Sequence, residues 1–553
     1  MAYYERTGEN EVKVFTVSEM VAAEKAANAA GVSYAQMMES AGQAVAEAII
    51  ARYPIVGMRV LVLVGPGNNG GDGLVCGRYL AQAGADVAFY LSKPRDPATD
   101  ANYAQIQQMG LFAVEAGFDQ RFRVLRTRLS VSDLVVDALL GTGVTRPIVG
   151  ELAKLMRQLA AGMEERRAIV REQSRPRLIS LLPSHPTLPP ATTPSPHHLI
   201  TVAVDCPSGL NCDTGELDAL AVPADLTVTF AGPKRGHFIF PGAAACGELV
   251  VADIGIPADL PPVQAVNVEV MTAVHAHSLL PPRPPDGHKG TFGKVLIAAG
   301  CDRYRGAPVL AAKGAFRAGA GLVALATPAV VRQTAVVALP EATYPQLTAE
   351  RVLTAQEAAE LLPILSSYDA LLVGPGLGET AVEFLPMMLN APYLPPLVLD
   401  ADGLNGLAQL SDWPRLLPPE TILTPHPAEM ARLMGISLAD LLTQDRAEVA
   451  RAQAQAWRQI VLLKGANTVV AAADGRVTIL PFANPVLAVG GSGDVLSGVI
   501  VALLGQGVRP YEAALLGGYL HGAAAALYPG DTGLLASELA EYVPQVIQSL
   551  KKW

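Results

Sequence analysis

Apolar residues in this chain fall into short runs separated by turn-forming clusters. Arg59–Val64 (RVLVLV) is rich in β-branched residues and ends in Gly-Pro-Gly, the pattern of a buried strand entering a glycine turn. Similar runs recur at Asp86–Leu91, Leu134–Asp137, Ile200–Asp205, Leu226–Phe230 and Leu249–Ile254. Ahead of them, Val17–Ala30 and Ser33–Arg52 are Ala-rich and read as helices, with Ser18 and Ser33 as candidate N-caps. Strands alternating with helices predict a largely parallel sheet covered on both faces.

Two stretches interrupt the alternation. Gly162–Arg177 is dense in charge, and Pro183–Pro196 holds six prolines. Proline removes a backbone donor and resists both helix and sheet. The segment 162–198 is therefore read as an inserted loop, or alternatively as a cover for a neighbouring subunit. Leu279–Asp286 (LLPPRPPD) reads as an interdomain linker. Beyond it the strand pattern restarts at Lys294–Ala299, Leu322–Ala326, Ala370–Val373, Leu397–Leu399, Thr421–Leu423, Ile460–Leu463 and Thr468–Ala472. A chain of 553 residues exceeds one ordinary core. The expected layout is a domain over 11–275, a linker over 276–286 and a second α/β domain over 287–553.

Composition narrows the classes. The net charge of −10 argues against nucleic acid or an anionic membrane as partner. The five cysteines, scattered and without CxxC spacing, read as free thiols in a reducing cytoplasm. Met1–Met20 is polar and charged, unlike a signal peptide. The apolar stretch Val495–Gly507 is shorter than the roughly 18–20 residues a membrane span needs. A cytoplasmic protein is expected.

Candidate chemistry sits at predicted strand ends. Gly65-Pro66-Gly67-Asn68-Asn69-Gly70-Gly71-Asp72-Gly73 follows one strand and opens a helix. Its glycines permit close backbone approach, and the N–H groups of a helix start favour phosphate. Asp137-Ala138-Leu139-Leu140-Gly141-Thr142-Gly143 and Asp205-Cys206-Pro207-Ser208-Gly209 end two further strands. Carboxylates with Ser208 and Asn69 form a set of hard oxygen donors suited to K⁺, Mg²⁺ or Ca²⁺. The plainer alternative is that each aspartate only caps the next helix.

In the second half, Gly490-Gly491-Ser492-Gly493-Asp494 precedes a helical pattern, as in an anion hole with a carboxylate at its edge. Such a loop can hold a phosphoryl group in transfer while Asp494 deprotonates the accepting hydroxyl. Lys464-Gly465-Ala466-Asn467-Thr468 offers a lysine and open backbone for nucleotide phosphates. Gly374-Pro375-Gly376, Asp400-Ala401-Asp402 and Thr424-Pro425-His426-Pro427-Ala428-Glu429 end three more strands.

These segments resemble a known pair of families. GPGNNGGDG, VDALLGTGVTRP and VDCPSGLNCDTG look like the signatures of the YjeF N-terminal domain, the NAD(P)H-hydrate epimerases. That resemblance spans roughly Val17 to Pro257 and implies a Rossmann-like three-layer fold. It further implies that Asn69, Asp137 and Ser208 coordinate K⁺. The hydrated dinucleotide would meet Asn68, Asn69, Gly70, Gly71 and Asp72, then Gly141, Thr142, Gly143, Val144, Thr145, Arg146 and Pro147, and Asp205. The insertion over 162–198 departs from the family's pattern. HKGTFGKVLIAAG, GPGLG, LDADGLN, TPHPAEM, LKGANT and GGSGD resemble the YjeF C-terminal domain, the ribokinase-like NAD(P)H-hydrate dehydratases. Here the resemblance implies that Gly376, His426 and Asp494 contact the hydrate. Lys464, Gly465, Ala466, Asn467, Thr468 and Gly493 would contact the nucleotide.

The implied function is repair of NADHX and NADPHX. The (6R) and (6S) hydrates would be epimerised with K⁺ bound. The (6S) form would be dehydrated to NAD(P)H with Mg²⁺ and ADP, or ATP, releasing AMP and phosphate when ADP is the donor. Asp205 and Asp494 are the candidate catalytic residues, and assembly into a homo-oligomer is expected. Two rival readings remain at this stage: a ribokinase-like small-molecule kinase, and a non-catalytic N-terminal binding module.

Overall fold

A computed structural model describes residues 12–173 and 198–552. Two compact units divide between Val266 and Asn267. The N-terminal strand β1 (Val12–Lys13) stands at the edge of the second unit's sheet.

The first unit is built on seven parallel strands: β2 (Arg59–Val64), β3 (Asp86–Leu91), β4 (Phe112–Glu115), β5 (Leu134–Ala138), β6 (Ile200–Val204), β7 (Leu226–Phe230) and β8 (Glu248–Ala252). Their order is β4-β3-β2-β5-β6-β7-β8. The chain proceeds outward from β2 in one direction and from β5 in the other. The carboxyl ends of β2 and β5 therefore flank a topological switch point, where open α/β sheets hold ligands. Both faces of β2 are buried. Val60, Val62 and Val64 join one apolar cluster, and Leu61 and Leu63 the opposite one. This two-sided burial explains the uninterrupted apolar run, each side chain contributing about 1.5–3 kcal/mol.

The helix Val17–Ala29 is capped by Thr16, whose side chain accepts from Glu19 N at 3.2 Å while Glu19 accepts from Thr16 N at 2.7 Å. Ser18, the expected cap, lies inside the helix; the reciprocal pair with Glu19 favours the position two residues earlier. Ser33 does cap the helix Tyr34–Ile50. A second difference concerns the charge-dense segment. The helix Gly150–Gln173 continues through residues 162–173, so this part is not a loop. Met163 is buried, and Arg166 donates to the carbonyls of Leu129 and Ser132, which ties the helix to the domain. The Pro-rich part, 174–197, lies outside the described residues.

The second unit adds β9 (Val268–Val270), β10 (Lys294–Ala298), β11 (Leu322–Ala326), β12 (Ala370–Val373), β13 (Leu397–Leu399), β14 (Ile422–Leu423), β15 (Ile460–Leu463), β16 (Val469–Ala471) and β17 (Val477–Ile479). The order is β1-β9-β17-β16-β15-β14-β13-β12-β10-β11. Strands β10 to β15 run parallel, and β16 turns back antiparallel to both β15 and β17. The switch point lies between β10 and β12. Residues 267–275, placed with the first domain by sequence, pack with the second because β9 pairs with β17. The expected linker begins within the short helix Ala273–Ser278, where His277 Nδ1 lies 2.8 Å from Leu550 O. No helix among the described residues is long and apolar enough to cross a membrane.

Candidate functional site

In the first unit the glycine turn is pressed against the neighbouring strand's exit. A Cβ on Gly65 would fall 1.8 Å from Leu139 O, so only glycine fits there. Gly67 precedes the helix Asn68–Gln82, which carries Asn69, Gly70, Gly71 and Asp72 in its first turns. Arg95, unnoticed in the sequence, donates to Gly65 O and Gly67 O at 2.7 Å each and pairs with Asp100, bracing the turn from outside.

Asn69, Asp137 and Ser208 meet around Leu140. Asp137 Oδ1 accepts from Ser208 Oγ at 2.6 Å, and Oδ2 accepts from Ser208 N at 2.9 Å. Ser208 Oγ accepts from Leu140 N at 2.9 Å, while Asn69 Nδ2 donates to Leu140 O at 3.0 Å. Asp137 is 1% exposed. Burial pushes its carboxyl up, against the hydrogen bonds from Ser208 and Leu139. All these partners are neutral.

Asp205 sits at the end of β6 with φ +63°. Thr229 Oγ1 donates to its Oδ1 at 2.8 Å, and Lys234 Nζ reaches the same oxygen at 2.5 Å. Lys234 Nζ also donates to Thr229 Oγ1 at 2.9 Å, and the lysine side chain is 1% exposed. Burial alone would raise Asp205; the Lys234 charge and hydrogen bond outweigh it and hold the carboxyl below its usual value. Sequence reading missed Lys234, whose only signal is its place just after an apolar strand in Phe230-Ala231-Gly232-Pro233-Lys234. Asn68 is exposed, and the Gly141–Pro147 loop is largely so. No side chain from Thr142 to Arg146 makes a hydrogen bond among the described residues.

In the second unit Lys464 leaves the end of β15 and places Nζ 2.7 Å from Asp400 Oδ1 and 3.9 Å from Glu429 Oε2. A Cβ on Gly493 would lie 3.5 Å from the same Nζ, so the lysine faces the glycine turn that opens the helix Ser492–Gly505. Asp494 is pushed up to about 7 by burial, with Asp400 and Asp402 adding to the rise and Lys464 opposing it. Glu429 also moves to about 7, chiefly through burial.

His426 caps the helix Pro427–Met434. Its Nδ1 accepts from Ala428 N at 3.1 Å, and its Nε2 lies 3.3 Å from Glu429 Oε1. Burial lowers its pKa, helped by Lys464 and Arg432. Gly376 has φ +65°, in the turn after β12.

The loop Lys464–Thr468 rests on Arg446, a second residue the sequence did not single out. Arg446 donates to Ala466 O at 2.6 Å, Lys464 O at 3.0 Å and Leu463 O at 3.1 Å. Gly465 has φ +147°, and a Cβ there would meet Arg446 Nη2 at 2.7 Å. His521 reaches from beneath with Nε2 2.9 Å from Ser492 O, and burial lowers its pKa to about 4.

Each unit thus sets a glycine turn, buried carboxylates and a lysine at carboxyl ends of strands, the arrangement of a two-site α/β enzyme acting on phosphate-bearing small molecules. Comparison with known proteins agrees. Residues 34–236 match the family described as YjeF-related protein N-terminus, and residues 295–546 the family described as NAD(P)H-hydrate dehydratase. A bifunctional NAD(P)H-hydrate repair enzyme of Moorella thermoacetica is 38% identical over 93% of each chain. One from Thermofilum pendens is 36% identical over 98% of this chain and 97% of its own. The crystal structure of an ADP/ATP-dependent NAD(P)H-hydrate dehydratase from Bacillus subtilis, co-crystallised with ATP and Mg²⁺, is 34% identical; it covers 52% of this chain and 100% of that one, with a TM-score of 0.45.

The chain belongs to the bifunctional NAD(P)H-hydrate repair enzymes. It joins an NAD(P)H-hydrate epimerase to an NAD(P)H-hydrate dehydratase, and is an isomerase and a lyase in one polypeptide.

Proposed function

We propose that the Asn68–Asp72 turn, the Gly141–Pro147 loop and Asp205 hold the hydrated dinucleotide for epimerisation, beside a K⁺ bound by Asn69, Asp137 and Ser208. The K⁺ reading rests on the donor set. Asp137 is a buried carboxylate with only neutral partners, next to the Leu140 carbonyl and the Asn69 amide. Hard oxygen donors with one uncompensated charge suit an alkali cation better than a soft metal. When bound, K⁺ supplies positive charge that offsets Asp137 and the substrate's phosphates. Asp205, kept ionised by Lys234, faces the ring carbon whose configuration changes.

In the second unit the hydroxyl of (6S)-NAD(P)HX gives its proton to Asp494 and attacks the terminal phosphoryl group of ADP, which the fused layout favours over ATP. Gly493 and Lys464 receive the transferring group, and Gly465, Ala466, Asn467 and Thr468 hold the nucleotide. Gly376 and His426 position the hydrate. Mg²⁺ neutralises phosphoryl charge. Phosphate then leaves the ring carbon, a neighbouring C–H proton is lost, and NAD(P)H remains with AMP and phosphate.

The observation that carries this reading is the placement of Lys464 Nζ, 2.7 Å from Asp400 Oδ1 and 3.5 Å from where a Cβ on Gly493 would stand, with Asp494 in the same field. The free, buried state of all five cysteines supports a reducing cytoplasm. The test is incubation with (6S)-NADHX, Mg²⁺ and either nucleotide, following NADH absorbance and phosphate release. Recovery with ADP supports the reading; recovery with ATP alone reassigns the donor, and none with either overturns it.

A further inference from the structure

Inverting the hydrated carbon requires its C–O bond to break, and hydroxide is a poor leaving group without a proton. Asp205 is an unsuitable donor, because Lys234 and Thr229 both stabilise its ionised form. A different group in the same site must carry the proton.

Asp72 has the required character. It lies in the second turn of the helix Asn68–Gln82 and is 8% exposed. Its carboxyl makes no hydrogen bond or ion pair among the described residues. An ionised carboxylate left unpartnered at such depth is costly, whereas the neutral acid is tolerated. The charged groups around it are Asp205, Glu24, Lys234 and Arg95, with the Cys76 thiol one turn further along the helix. Burial dominates, and the two neighbouring carboxylates add to it, holding Asp72 well above the usual carboxylate range. Two carboxyls of one site are thereby pushed in opposite directions, the division by which acid and base roles are set.

We propose that Asp72 is the general acid of the epimerase and that Asp205, ionised beside Lys234, stabilises the cationic ring. The inference rests on the reading that this cluster is the epimerase site. The ring nitrogen lone pair forms a C=N bond as the C–O bond breaks. The departing oxygen takes the Asp72 proton and leaves as water. Water then attacks the opposite face of the same carbon, the C=N electrons return to nitrogen, and the surplus proton returns to the Asp72 carboxylate. Atoms and charge balance without a co-reactant.

The test uses the full chain with nucleotide and (6R)-NADHX as sole hydrate, so that NADH recovery is limited by epimerisation. Asp72→Asn is expected to lower this rate by about 100-fold or more while (6S)-NADHX is dehydrated at the wild-type rate. Asp72→Glu, which restores a proton, is expected to recover part of the rate with its alkaline limb displaced. A merely structural role would not move that limb. Wild-type rates in a folded Asp72→Asn protein, or a loss that appears in Glu24→Gln instead, overturn the proposal. If the wild-type chain converts (6R)-NADHX no faster than the spontaneous reaction, the reading of the site itself fails.

Discussion

Lys234 Nζ lies 2.5 Å from Asp205 Oδ1, and almost none of the lysine is exposed. The ammonium is committed to one carboxylate, the Thr229 hydroxyl and the Phe230 carbonyl inside the protein, so its effect is on Asp205 and not on solvent. Lys234→Met leaves a buried carboxylate uncompensated and is expected to cost about 3–5 kcal/mol. It should also cut epimerisation by about 100-fold or more. Because Asp205 is held below its ordinary value in the folded state, the stability it contributes is present above that ordinary value and disappears as pH falls through the depressed one. Denaturant titrations across the acid range should show a smaller loss of stability on acidification in Lys234→Met than in the wild type.

Asp494 titrates near 7 under burial and the charges of Asp400 and Asp402. As the base for the accepting hydroxyl it must be ionised, so dehydratase kcat should rise from pH 6 to pH 8 with a midpoint of about 7. Lys464→Met removes the charge that opposes the shift and should move this limb upward. Glu429 titrates in the same range, so Glu429→Gln provides the control: its limb should stay in place. A limb that follows Glu429 would transfer the role.

Arg446 shapes the nucleotide loop through three carbonyls without reaching the glycine turn. Arg446→Lys keeps a charge but cannot span them. The expected result is a KM for nucleotide raised about 10-fold, with kcat changed much less, equivalent to roughly 1.4 kcal/mol of binding. A change confined to kcat would contradict this positioning role.

If K⁺ sits among Asn69, Asp137 and Ser208, epimerisation should be faster in KCl than in tetramethylammonium chloride at equal ionic strength. Asp137→Asn should abolish the difference while leaving (6S)-NADHX dehydration unchanged. Equal melting of the first unit in both salts would count against the site.

Much of this was readable from the chain, for a physical reason. Strands buried on both faces, such as β12 and β15, are apolar throughout, and glycine or polar residues follow them. Asp137, Asp205 and Lys464 therefore stand out at the ends of runs. Lys234 does not, because it meets Asp205 from 29 positions away, through the side-by-side pairing of β6 and β7. Arg446 resembles any arginine at a helix start; only the wrapping of residues 463–466 around it shows that it is half-buried and bound to their carbonyls. The charges of residues 162–173 suggested a loop, yet a helix can keep charges outward while Met163 packs inward. The strand β9 is Val-Glu-Val, so the glutamate at its centre breaks the apolar run.

The central claim is that two separate sites in one chain act on the two stereoisomers in turn. The most direct test is to compare the wild type with Asp205→Asn, each given (6R)- or (6S)-NADHX with Mg²⁺ and ADP. The account predicts that the wild type restores NADH from both. The variant should restore it from (6S) at the wild-type rate and from (6R) only at the spontaneous rate. A variant that treats both isomers as the wild type does, or a wild type that restores neither, would contradict it.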